Sequence, residues 1–130
     1  MKAIPIFDNI VFYPENFSFV SEKSGYNHLY WYSIGGNLLK QVTAGQYEVQ
    51  EFLGYDPEEG SFYFSSNEES PMRSAIYKID RKGKKTRLSS QAGTNSAQFS
   101  ANMKYYMNRY SNLDTPTVIT LNDNTGKTLA

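Results

Sequence analysis

One unit recurs along this chain, and its period constrains the fold more than any other feature. Three aromatic-rich segments, Phe17-Ser18-Phe19-Val20-Ser21-Glu22, Phe62-Tyr63-Phe64-Ser65-Ser66-Asn67 and Tyr105-Tyr106-Met107-Asn108-Arg109-Tyr110, begin 45 and then 43 residues apart. Each is followed by a second run: His28-Leu29-Tyr30-Trp31-Tyr32-Ser33, Ala75-Ile76-Tyr77-Lys78-Ile79-Asp80 and Thr117-Val118-Ile119-Thr120-Leu121-Asn122. The second column of that run holds Leu29, Ile76 and Val118, and the sixth holds Ser33, Asp80 and Asn122, small polar residues that open a turn. Every turn then reaches a glycine, Gly36, Gly83 or Gly126, where a tight hairpin calls for a residue tolerant of positive φ. A further short run follows, Leu38 to Thr43 and Lys84 to Ser89, with Lys127-Thr128-Leu129-Ala130 as its shorter third copy. Segments 48–55 and 95–100 precede the second and third units, and each can serve as the first strand of its unit.

Alternation of period two recurs throughout, and no stretch of a dozen residues keeps an apolar i, i+3, i+4, i+7 pattern, so the units are built of strands. The 11 tyrosines, 8 phenylalanines and one tryptophan sit mostly in short runs bounded by Gly, Asn, Asp and Ser, as half-buried strands do. Four antiparallel strands in a unit of roughly 45 residues describe a β-propeller blade. The chain therefore reads as all-β, a partial β-propeller of about three four-stranded antiparallel blades, over approximately residues 1–46, 47–93 and 94–130. Closed propellers have about four to eight blades, so this is an arc of a larger ring. Phe19, Phe64, Leu29, Ile76 and Val118 are its expected core positions. Open blade faces and an unpaired strand edge would make such an arc self-associate.

Charge excludes some partners. The 13 basic and 13 acidic residues cancel and are scattered, which leaves no footprint for nucleic acid or an acidic membrane. With no cysteine there is no disulfide framework or thiolate metal site, and no apolar run approaches the roughly 20 residues of a membrane helix. The start, Met1-Lys2-Ala3-Ile4-Pro5-Ile6, lacks the apolar core of a signal peptide.

The motifs of chemistry are missing too. There is no Gly-rich phosphate loop, no His/Cys ligand cluster and no Gly-x-Ser-x-Gly elbow, so neither cofactor nor metal is implied. Asn122-Asp123-Asn124-Thr125-Gly126 resembles a calcium loop only in part and reads as a hairpin turn. The one histidine, His28, lies within a strand and reads as a structural blade residue, able to donate a hydrogen bond to a neighbouring strand or loop. Catalytic and substrate-binding residues are therefore both assigned as none. Tyr26, Tyr30, Trp31 and Tyr32 could form a stacking platform, but tyrosines at alternate strand positions more commonly fill the wedge between blades. Two glutamate pairs, Glu58-Glu59 and Glu68-Glu69, sit in turn contexts and read as solvated loops.

A family resemblance rests on particular residues. The stretch from Ser21 through Tyr32, with Ser21-Glu22, Gly25-Tyr26 and His28-Leu29-Tyr30, is similar to the propeller of the dipeptidyl peptidase IV family, in the prolyl oligopeptidase clan of serine peptidases. The likeness continues through Leu39 to Gly45, Glu48-Val49, Phe62-Tyr63-Phe64 with Glu69-Ser70-Pro71, and Tyr110-Ser111-Asn112 with Thr115-Pro116, where it looks like the last blade of that propeller. It spans roughly residues 16–130. The resemblance implies a non-catalytic segment of a dipeptidyl peptidase, walling and gating the substrate chamber, with an α/β-hydrolase domain of the parent chain as its partner and peptides as the parent's substrates. It also implies an exported parent, periplasmic or in the cell envelope. In the family two adjacent glutamates hold the substrate amine, but neither pair here has the aromatic-x-aromatic context of that motif. A broader likeness to Tol-associated propellers implies the alternative, a non-enzymatic module that binds a protein partner.

Overall fold

Short aromatic strands and polar turns produce eleven strands and no helix among the described residues, which in the computed structural model are 10–12, 16–21, 25–68, 74–89, 94–112 and 116–130. They form three antiparallel sheets in chain order. The first holds β1 (Ile10–Phe12), β2 (Asn16–Ser21), β3 (His28–Ser33) and β4 (Leu38–Gln41). The second holds β5 (Val49–Asp56), β6 (Ser61–Ser66), β7 (Ala75–Ile79) and β8 (Lys85–Arg87). The third holds β9 (Thr94–Phe99), β10 (Tyr105–Ser111) and β11 (Val118–Asp123). A fourth rung starts beside β11, where Leu129 N donates to Leu121 O at 2.7 Å and Leu121 N donates to Ala130 O at 2.7 Å. The chain is thus an all-β arc of three propeller-like sheets, with three strands rather than four in the last among the described residues.

One hairpin turn is built three times. Ser33, Asp80 and Asp123 each donate a backbone N–H to the carbonyl four residues on, at 2.9, 3.0 and 2.9 Å. Gly36, Gly83 and Gly126 each donate back to the opening residue, and they adopt φ of 92°, 88° and 95°, where a Cβ would be strained. The opening side chain completes the turn: Asp80 Oδ1 accepts from Lys82 N and Lys84 N at 2.9 Å each, and Asp123 Oδ1 from Thr125 N and Lys127 N at 3.0 and 3.1 Å. The N–H of Lys84 holds the Asp80 carboxyl below the usual range, and the Thr125 hydroxyl and N–H do the same for Asp123.

These turns correct the frame of the third unit. The residue that opens its turn is Asp123, not Asn122, so Ile119 rather than Val118 is the counterpart of Leu29 and Ile76. The ladders agree, since Leu29 pairs with Val20, Ile76 with Ser65 and Ile119 with Arg109. Val118 pairs with Tyr110, as Ala75 pairs with Ser66, and so points to the opposite face. The expectation of a core Val118 fails for a physical reason. Val118-Ile119 puts apolar side chains at both parities, and alternation alone cannot say which faces inward.

Each sheet has a leading face, toward the next sheet, and a trailing face, toward the one before. Leu29 and Trp31 lead the first sheet and share one core with Phe62, Phe64 and Tyr77, which trail the second. Trp31 stands 4.7 Å from the Tyr55 ring and 5.0 Å from Phe62, edge-on to the latter. A second core joins Tyr63 and Ile76 to Tyr106 and Phe99, with Phe99 at 4.6 Å from Tyr63 and 4.8 Å from Tyr106. Leu29, Ile76 and Phe64 are fully buried, at 0% exposure. Ile119 leads the third sheet, where no further sheet covers it, and is 51% exposed; Val118 is 43% exposed. Phe19 pairs with Tyr30 through the backbone, and its side chain lies outside the described residues.

Truncating Leu29 or Ile76 to alanine is expected to cost about 2–5 kcal/mol. Ile119→Ala, at the equivalent but open position, should cost less than about 1 kcal/mol. Urea melts of the three variants check the register, and equal losses would refute it.

Candidate functional site

Some of the residues that carry the family resemblance, His28-Leu29, Val42 to Gly45 and Glu48-Val49, meet at the joint between the first and second sheets. Val42 N donates to Leu29 O at 2.8 Å and brings Thr43 beside the start of β3. There Thr43 Oγ1 accepts from Leu29 N at 2.9 Å and lies 2.8 Å from His28 Nδ1, while His28 Nε2 is 2.9 Å from Gly45 O. A carbonyl can only accept, so Nε2 carries a hydrogen, and in the neutral ring Nδ1 then accepts from the Thr43 hydroxyl. The Tyr47 ring meets the imidazole edge-on at 5.0 Å.

The chain then crosses to the second sheet. Val49 N donates to Asn27 O at 2.7 Å, Asn27 N donates to Glu48 Oε2 at 2.6 Å, and Glu48 N donates to Asn67 Oδ1 at 2.8 Å. The next joint repeats the pattern with different side chains. Asn95 N reaches Ser74 O at 3.2 Å, Ser74 Oγ donates to Asn95 O at 2.8 Å, and Asn95 Nδ2 reaches Ser74 O at 3.0 Å. Ser89 Oγ takes the place of Thr43 and accepts from Ile76 N at 3.1 Å.

Thr43 and His28 stand at the distance of a nucleophile and its base, but the arrangement cannot serve as one. Both are at least 98% buried, and the hydroxyl also holds the Leu29 N–H, so no substrate atom reaches the pair. The glutamates are tied as well. Glu59 pairs with Lys78 at 3.0 Å, Glu58 with Lys104 at 2.9 Å, and Lys104 extends to the buried Asp56 at 3.4 Å. The Glu58 contact, followed by Asp56, raises the Lys104 pKa. Glu68 pairs with Lys85, whose ammonium lies over the rings of Tyr47 at 4.8 Å and Tyr77 at 5.6 Å, while Glu69 lies outside the described residues. Among the described residues no group of three or more His, Asp or Glu could hold a metal. Tyr30 and Trp31 are buried, as wedge-filling residues are, and of the four aromatics weighed for a stacking platform only Tyr26 is clearly exposed. The turn Asp123–Gly126 folds onto its own N–H groups.

Sequence reasoning missed Asn27, Thr43, Gly45, Ser74, Ser89 and Asn95 as joint residues. The signal was present: Asn27 and Ser74 both immediately precede the central run of their unit, and Val42-Thr43 matches Leu88-Ser89.

Repeated antiparallel sheets of three or four strands, joined by these contacts, define the class as a β-propeller segment. A sequence model of the dipeptidyl peptidase IV (DPP IV) N-terminal region matches residues 6–117, and the chain belongs to that family. The crystal structure of Porphyromonas gingivalis dipeptidyl peptidase 4 superimposes with a TM-score of 0.88 at 40% identity, covering 94% of this chain and 18% of that one. The dipeptidyl peptidase 4 of Arthroderma otae is 31% identical over 100 residues, which are 75% of this chain and 13% of that protein. The chain therefore spans under one fifth of the length of these relatives.

Thr43→Val keeps the shape and deletes the hydroxyl. It should cost about 1–3 kcal/mol for each of the two buried groups it leaves unpaired. Thr86→Val on the exposed strand β8 should stay within about 0.5 kcal/mol, and thermal melts of the two variants make the comparison.

Proposed function

We propose that this chain is part of the non-catalytic propeller of a dipeptidyl peptidase IV-like serine exopeptidase. The observation that carries the reading is the match to that family over residues 6–117, and the internal satisfaction of the joint supports it. A propeller encloses a central channel, and the first strand of each blade lines it. Gln50 and Glu51 on β5 and Thr94 on β9 are exposed polar residues on such strands. In this reading they wall a wet chamber that admits unfolded peptide N-termini and keeps out folded protein, while a hydrolase domain of the parent supplies the nucleophile. The parent acts in the periplasm or cell envelope.

Two measurements test this. The chain by itself should neither turn over a fluorogenic Xaa-Pro substrate nor react with a fluorophosphonate probe, whereas the parent should label at one serine outside residues 1–130. Stoichiometric labelling of a serine within the chain would overturn the assignment.

The leading face of the third sheet supports a partner as well. Tyr105, Met107, Ile119 and Leu121 are all exposed on it, at the side where the first two sheets each receive a neighbour. In the parent another blade takes that place, and in the isolated chain a second copy does. Sedimentation across a concentration series should show dimers or larger species, reduced by Ile119→Lys. A monomer at every concentration would refute the open face as a docking surface.

A further inference from the structure

At one position the leading face of the third sheet carries a charge where the first two sheets carry neutral residues. Val20 pairs with Leu29, Ser65 with Ile76 and Arg109 with Ile119, so Val20, Ser65 and Arg109 are counterparts. Val20 is 9% and Ser65 6% exposed, with a further sheet lying over each. Arg109 is exposed, and its guanidinium makes no ion pair or hydrogen bond among the described residues. A body that covers this face as the first two are covered takes that guanidinium out of water, where a lone cation is far costlier than a paired one. The occupant must therefore bring a carboxylate.

The chain itself holds a carboxylate of this kind. Arg109 lines a groove of about 490 Å³ with Met107, Ile119, Ser96 and Gln98, and Glu51 of β5 lines it from the second sheet. Glu51 is exposed as well, and its carboxylate has no partner among the described residues. One acid and one base thus share a groove without pairing to each other. The rest of the face is apolar, with Tyr105, Met107, Ile119 and Leu121 exposed at 47, 51, 51 and 39%. A two-fold interface sets each residue of a patch against a different residue of the same patch, so a surface with one cation, one anion and an apolar field is complementary to itself.

We propose that the leading face of the third sheet pairs with the same face of a second copy, with Arg109 of each copy ion-paired to Glu51 of the other. The inference rests on the reading of that face as a docking surface and not on the peptidase assignment. Two-fold pairing makes two such bonds per dimer and takes Met107 and Ile119 of both copies out of water. A guanidinium holds a carboxylate through two parallel N–H···O bonds, which fixes the register of the copies. The arrangement closes at two. Head-to-tail stacking of this face on the trailing face of another copy's first sheet would set Arg109 against residues other than Glu51 and would keep adding copies.

Sedimentation equilibrium across a concentration series tests the pairing on the wild type, Arg109→Glu, Glu51→Arg, the double variant and an equimolar mixture of the two single variants. Both positions are exposed, and unchanged circular dichroism checks that the variants fold. The wild type should dimerise. Each single variant sets like charges opposite each other twice and should raise the dissociation constant at least about tenfold. In the mixture and in the double variant every contact again joins opposite charges, so dimerisation should return to within about threefold of the wild type. A wild type that stays monomeric overturns the pairing and the docking face together. Association that Ile119→Lys abolishes but neither charge variant weakens leaves the docking face standing and overturns the pairing. Single variants that both weaken association without recovery on mixing overturn it too, as does a wild type that grows beyond the dimer.

Discussion

The structure depends on a single backbone handover made twice. The N–H of Val49 goes to Asn27 O at 2.7 Å, and the N–H of Asn95 goes to Ser74 O at 3.2 Å. Each fixes the first strand of an incoming sheet against the central hairpin of the sheet before it. Once that point is set, the leading side chains of one sheet meet the trailing side chains of the next without further adjustment. The units differ in length, with 47 and then 43 residues between their glycines, and part of the difference is taken up by the two register shifts of the β5–β6 pairing, at Val49/Glu51 and Phe52/Gly54, which the β9–β10 pairing lacks.

Around this skeleton the two interfaces are filled differently. The first is aromatic, with Trp31, Tyr55 and Phe62 mutually in contact. In the second the counterpart of Trp31 is Lys78, which lies over the Tyr63 ring at 5.6 Å and pairs with Glu59. Polar clamps add to the apolar contact there, because Lys104 from the third unit holds Asp56 and Glu58 of the second. Burial pushes the Tyr106 phenol up to about 12, with the Asp123 charge adding to it. The outer strands differ as well. Lys84, Lys85 and Arg87 blunt the edge of the second sheet, whereas Leu38 and Leu39 leave that of the first apolar and exposed.

What could be read from the sequence followed from periodicity. Strand β3 runs from His28 to Ser33, the span its alternating pattern gives, and the three turn glycines stand at positive φ because the hairpin demands it. The third unit was displaced by one residue, because Val118-Ile119-Thr120-Leu121 is β-forming without a clear parity and only the Asp123 turn settles it. The joint was harder to see. Thr43 and Gly45 meet His28 from 15 and 17 residues away, and no local pattern announces a hydroxyl that holds both a backbone N–H and an imidazole.

The middle sheet differs from the third in having both faces packed. All six residues of β6, Ser61–Ser66, are buried, while β10 alternates between buried and exposed. In an array where each unit touches only the next, stability is a sum of unit and interface terms. The second sheet collects two interface terms and the third only one. Amide hydrogens should therefore exchange with solvent in a spatial gradient, slowest in β6 and β7 and earlier in β10 and β11, so that the arc opens by peeling from its uncovered side rather than melting at once.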